Sequence, residues 1–157
     1  MTDMKRLYAI LAVAVAAMAL ISCDKYEDGK PAKSVRAEFN KMYPDAKDVE
    51  WEPQRGFWVV SFETGTPPDL VEHDAWYDVD GGWIRTETEV YANALPQTVL
   101  DAIAASEYAS AVIDRNDVVY VETPQAAWYR LELFFGGVEI HVDVTEEGKV
   151  SLSDISF

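Results

Sequence analysis

Two histidines and one cysteine are all the imidazole and thiol chemistry this chain carries. His141 alternates with Glu139 and Asp143 along "GVEIHVDV". An imidazole flanked by carboxylates at i±2 on an extended strand is a donor set for a divalent ion. The plainer reading is a solvated polar strand face, so no metal is assigned and His141, Glu139 and Asp143 stand only as candidates. His73 shares its strand side with Val71 and Tyr77, the setting of a packed, hydrogen-bonded histidine. "DVDGG" (Asp78, Asp80) begins like a calcium loop, but Trp83, Ile84 and Arg85 stand where further ligands are needed. It therefore reads as a hairpin turn. There is no Gly-x-Ser-x-Gly, no glycine-rich phosphate loop and no Cys–His zinc spacing. No catalytic residue is assigned, no enzyme is expected, and no cofactor is called for.

The aromatic residues say more. By strand alternation Trp76, Trp83 and Trp128 fall on the polar side of their segments, beside Arg85 and Arg130, and Phe57 and Phe134 do likewise. Large rings among charges are the material of recognition surfaces, where Trp, Tyr and Arg dominate. These seven residues are the candidate partner-binding set. Packing between layers would equally bury such rings, and a one-residue bulge would move any of them to the other face.

The elements that must position them follow from periodicity. Residues 34–43 read as a helix, with Val35, Phe39 and Met42 on one side, Ser34 as N-cap and Pro44 as its stop. Strand-like segments follow: "KDVEW", "FWVVSFE", "LVEHDAWYDV" and "GWIRTETEV". "TGTPPDLVEHD" is long and proline-containing, a departure from a plain hairpin. Then "LPQTVLDAIAAS" opens a second helix with Pro96 in its first turn and Val99, Leu100 and Ile103 inward. "ASAVID", "DVVYVE", "AWYRLELFF", "GVEIHVDV" and "GKVSLSDI" supply further strands. Tyr43–Pro44–Asp45–Ala46 and Tyr108–Ala109–Ser110–Ala111 lie 65 residues apart, as do Asp78 and Asp143. The expected fold is α+β: a tandem repeat of helix plus antiparallel β-meander over residues 33–92 and 93–157, two-layered, with the sheets continuous or side by side.

The N-terminus carries the address. Lys5 and Arg6 precede an uncharged apolar run, Leu7–Ile21, too short to span a bilayer as a helix. Leu20, Ile21, Ser22 and Cys23 then stand in lipobox order, a pattern that resembles bacterial lipoprotein precursors. The expectation is a signal peptide over residues 1–22, lipidation of Cys23 and a polar tether over 23–32. An ordinary signal peptide with a leftover thiol and an uncleaved anchor are the alternatives. Each buried acyl CH₂ contributes about 0.8 kcal/mol, so several chains moor a soluble domain. A lone cysteine has no intramolecular disulfide to make.

Net charge is −15, and loss of residues 1–22 would leave the remainder near −16. That charge repels nucleic acid and anionic lipid, and favours cationic partners. Membrane association is therefore expected only through the N-terminal lipid.

"FNKMYPDAKDVEWE", "GGWIRTETEV", "ALPQTVLDAI" and "WYRLELFFGG" resemble the PepSY-like, β-lactamase-inhibitor-like proteins of Bacteroides-type bacteria. The resemblance covers nearly all of the chain after Cys23. It implies an exported, often lipid-anchored protein with a concave sheet that binds a protein, and it carries over no catalytic or contact residue. The functional expectation is a non-catalytic cell-envelope lipoprotein, periplasmic or on the outer-membrane surface. It would bind an unidentified protein or peptide through an exposed sheet face, as by inhibiting an enzyme. The alternative is a small-ligand or divalent-cation binder.

Overall fold

Val35 and Phe39, four residues apart, are both fully enclosed, and this pair seats helix α1 (Lys33–Met42) on the sheet. The protein is described by a computed structural model covering residues 26–27 and 29–154. The expected signal peptide and Cys23 lie outside the described residues. Helix α1 starts at Lys33, one residue before the expected position. Ala32 stands at the cap with no side-chain hydrogen bond, so Ser34 is inside the first turn and does not cap. At the other end the Tyr43 amide donates to the Phe39 carbonyl (2.8 Å) before Pro44. Helix α2 (Gln97–Ala105) follows Pro96, whose carbonyl accepts from the Val99 amide (3.0 Å), and it buries Val99 and Ile103.

Strands β1 (Tyr26–Glu27) and β2 (Lys30–Pro31) form a small ladder ahead of α1, and Pro31 at its end is buried. After α1 come β3 (Lys47–Gln54), β4 (Phe57–Thr66), β5 (Asp69–Asp78) and β6 (Trp83–Glu89). A 3₁₀ turn (Ala92–Ala94) and α2 intervene, then β7 (Val112–Glu122), β8 (Ala127–Phe135), β9 (Val138–Thr145) and β10 (Val150–Leu152). All eight from β3 to β10 form one antiparallel sheet in chain order. Of the two expected arrangements, continuous or side by side, the sheet is continuous. The seam is β6–β7, where Thr86–Glu89 pair with Glu122–Val119.

Both helices lie on the same face of this sheet. Under α1 pack Trp58, Val60, Phe62, Ala75 and Tyr77. Under α2 pack Val118, Leu131, Leu133, Val142 and Val144. These are the alternate residues of β4, β5 and β7–β9, as a pleat with one apolar side requires. Between the two clusters the same face turns polar. Thr86 is buried there, within hydrogen-bond distance of the Tyr43 hydroxyl (2.6 Å) and accepting from Trp83 Nε1 (2.9 Å).

Local register departs from the expected pattern at several turns and bulges. β5 and β6 shift register between Trp76 and Tyr77, so Arg85 faces Trp76 but Trp83 faces Tyr77. Trp83 therefore packs against the α1 cluster on the helix face, not with Trp76 on the polar side. β3 shifts between Lys47 and Glu50, and Val49 is left exposed, separated from Trp51 in the α1 cluster. "ASAVID" and "DVVYVE" belong to one strand, β7, interrupted by a shift between Ile113 and Val118. "TGTPPD" proves a tight hairpin after all. Thr66 pairs with Asp69, leaving Pro67 and Pro68, joined by a cis peptide, as the two-residue loop.

"DVDGG" is the expected hairpin turn. Asp78 Oδ1 accepts the Asp80 and Gly82 amides (2.9 and 2.8 Å). A Cβ on Gly82 would sit 2.5 Å from Asp78 Oδ2 and push that carboxylate aside, and Gly81 at φ +101° supplies the left-handed backbone of the turn.

Candidate functional site: the open sheet face

Residues alternating with the two cores point to the side of the sheet opposite the helices. The register makes rows across it. Val59, Trp76 and Arg85 stand abreast on β4, β5 and β6. Glu87, Val121 and Trp128 stand abreast on β6, β7 and β8, with Thr145 beyond on β9. Val119, Arg130 and Asp143 form the next row.

This face is open at its ends but filled at its middle. Val121 is 0% exposed and Val59 6% exposed, and among the described residues no helix lies over either. Their cross-strand neighbours on this face are Trp128 and Trp76. The Arg85 guanidinium lies 3.9 Å above the Trp76 ring centroid and Arg85 is only 9% exposed. Such a desolvated cation–ring stack contributes on the order of 1–2 kcal/mol. Burial pulls Arg85 below its usual range, and the nearby Glu87 opposes that shift.

Glu87 is the hub of the charges. Its Oε1 meets Arg85 Nη2 at 3.4 Å and Arg130 Nη1 at 3.2 Å. Arg130 Nε also reaches Asp143 Oδ1 (3.0 Å) and donates to Ser153 Oγ (2.7 Å), and Ser153 Oγ donates to Asp143 Oδ1 (2.9 Å). One network thus ties β6, β8, β9 and the C-terminal segment together.

The candidate set separates accordingly. Phe57 (42% exposed) and Phe134 (53% exposed) stand free on the open face. Trp76 and Trp128 are half-buried there, and among the described residues the Trp128 Nε1–H is enclosed without an acceptor. Arg85 and Arg130 lie on this face but are spent on carboxylates. Trp83 is on the other face.

Two cavities open on this side. One, of about 470 Å³, collects Asp48 and Glu50 from β3, Glu63 from β4, Glu72 and Asp74 from β5, and Glu87 and Glu89 from β6; among the described residues no Lys or Arg lines it. Partial burial, reinforced by Glu72, Asp74 and Asp117, holds the Glu89 carboxyl above the ordinary carboxylate range. The other, of about 600 Å³, is walled by Pro53, Gln54, Arg55, Phe57, Trp76 and Arg85.

The match to known proteins covers this surface. A model of the PepSY-like family, described as beta-lactamase-inhibitor-like, matches residues 56–151, from β4 to β10. The chain belongs to the PepSY-like family. Solved structures agree with this PepSY-like fold. The chain is similar to a BLIP-like protein from Bacteroides fragilis, with 28% identity and a TM-score of 0.69 over 80% of this chain and 86% of that one. It is also similar to a DUF2874 family protein from Bacteroides ovatus, with 27% identity and a TM-score of 0.66 over 80% and 89%. No curated protein matches the chain.

The histidines of this PepSY-like chain resolve differently. His73 lies on the helix face, its two ring nitrogens bonded to Thr64 Oγ1 (2.8 Å) and Thr88 Oγ1 (2.9 Å), its ring stacked on Phe62 at 4.9 Å. That is the packed histidine expected from the strand pattern, and burial lowers its pKa. His141 is on the open face as expected, but the structure does not assemble it with Glu139 and Asp143. Residues at i±2 on one strand point the same way without converging, and Asp143 is taken by Arg130 and Ser153. His141 Nε2 instead meets Glu132 Oε2 at 3.3 Å, from the next strand.

Sequence reading missed Glu87 as a hub and missed the acidic cavity. A signal for both existed. Glu63, Glu72, Asp74, Glu87 and Glu89 all fall on the polar side of β4–β6 by alternation, and reading them across strands would have gathered them.

Proposed function

We propose that this PepSY-like protein is a non-catalytic, lipid-anchored protein of the cell envelope that binds a protein or peptide partner through its open sheet face. The carrying observation is that face: exposed Phe57 and Phe134 rings flank half-buried Trp76 and Trp128, with no helix over them among the described residues. Rigid aromatic side chains lose little conformational entropy on binding and bury large areas. The adjoining acidic cavity suits a basic side chain of the partner. Likeness to a BLIP-like protein supports the same reading. Where the partner is an enzyme, the mechanism is occlusion by a preformed surface, with no chemistry at the interface.

In this reading residues 33–92 and 93–157 are two copies of a helix-plus-meander unit, whose joined sheets make one platform. Residues 1–22 direct export and Cys23 carries the lipid. Globomycin treatment is expected to leave the precursor unprocessed; normal maturation in its presence would contradict the anchor. For the binding surface, in-cell crosslinking and mass spectrometry on wild type and Phe57→Ala is the test. The variant is expected to fold normally and lose the adduct. An undiminished adduct would show that the partner docks elsewhere.

A further inference from the structure

We propose that Asp117, Glu132 and His141 form a binding site for a divalent metal ion of the zinc type on the open face. The three residues come from β7, β8 and β9, and one ligand atom from each lies within 4.8 Å of the other two. Glu132 and His141 are direct cross-strand partners, so the ladder itself sets their spacing. Their Oε2 and Nε2 atoms stand 3.3 Å apart. Two ligands of a tetrahedral zinc ion, at bonds of about 2.0–2.2 Å, are necessarily separated by about 3.4 Å. Asp117 is exposed and lies in the shifted stretch of β7 between Ile113 and Val118, where no strand pairing fixes it.

The cluster offers an imidazole nitrogen that meets a carboxylate, whereas His73, which lines the acidic cavity, has both ring nitrogens on Thr64 and Thr88; such a nitrogen discriminates among metals. One nitrogen and two carboxylate oxygens suit zinc and its transition-metal neighbours, whereas calcium and magnesium favour all-oxygen sets. The carboxylates of Glu139, Asp117 and Asp114 act on Glu132, with His141 opposing them. A cation at this point relieves that repulsion, and a fourth position remains for water or for a group on a bound partner. The site is independent of the aromatic surface and stands or falls without it.

Calorimetric titration of the full chain with ZnCl₂ tests it, with CaCl₂ and MgCl₂ in parallel. One zinc equivalent is expected to bind, at least about tenfold more weakly in Glu132→Gln and without measurable affinity in His141→Ala. The Glu50→Gln/Glu63→Gln double variant, in the acidic cavity, is expected to titrate like wild type. Imidazole ¹⁵N spectra of the wild type add a reading that needs no variant: zinc is expected to shift His141 and leave His73 in place. No heat with zinc, an unchanged isotherm in His141→Ala, an equal loss in the cavity variant, or an unmoved His141 resonance would each overturn the site.

Discussion

Leu133 and Phe134 are neighbours on β8, yet one is fully enclosed beneath α2 and the other stands half in solvent on the opposite face. The helix face is held by apolar burial: Val, Leu, Trp and Phe side chains under two helices. The open face carries at its centre a network of two arginines and two carboxylates, with Arg85 stacked on Trp76. Apolar burial is non-directional and scales with area. The network of charges is directional, and Glu87 serves both arginines. The difference teaches that the open face is stiff where its charges are paired and available where its rings are free.

The largest effect expected from breaking this comparison is in the helix-side core. Leu131→Ala removes a fully enclosed side chain and is expected to cost about 2–5 kcal/mol in denaturant unfolding. Phe134→Ala, three residues on, is expected to change stability by no more than about 0.5 kcal/mol. Similar costs for both would erase the distinction between the faces.

Glu87→Gln comes next. It withdraws the negative charge that serves both Arg85 and Arg130, with an expected cost of about 1–3 kcal/mol by the same measurement. A neutral result would mean the network is decorative. Thr86→Val, which leaves the Tyr43 hydroxyl and Trp83 Nε1–H without their partner between the two cores, is expected to cost about 1 kcal/mol.

The smallest effect is a pH dependence. Burial lowers the pKa of His73, so the folded state takes up a proton less readily than the unfolded chain. Its contribution is complete above the unfolded value of about 6.5 and is lost as pH falls from there toward the lower folded value. Melting temperatures of wild type and His73→Asn, compared at about pH 7.5 and about pH 5, are expected to differ more in their pH shift than can be ascribed to the shared carboxylates. Parallel shifts would remove His73 from the account.

Much of this comparison was legible in the chain. The i, i+4 spacing of Val35 and Phe39 and of Val99 and Ile103 marked both helices. Period-two alternation placed Trp58, Val60 and Phe62 inside, and Trp76, Trp128, Phe57 and Phe134 outside. What failed was register. Trp83 was misplaced because the register shift between β5 and β6 sets it opposite Tyr77, while Arg85 and Glu87 keep their expected side. The metal candidates were sought along one strand, at Glu139 and Asp143, whereas the groups that meet His141 come from neighbouring strands. Cross-strand proximity depends on loop lengths and bulges, which a window on one segment does not contain. Ser34 failed as a cap because the chain enters α1 one residue early, through Ala32.

The central claim is that a partner docks on the open face. A photoreactive amino acid placed at Phe57, at Phe134 and, on the exposed outer side of α1, at Lys41 tests it in living cells. The account predicts the same single adduct from Phe57 and Phe134 and none from Lys41. An adduct from Lys41 alone, or equally from all three, would contradict it.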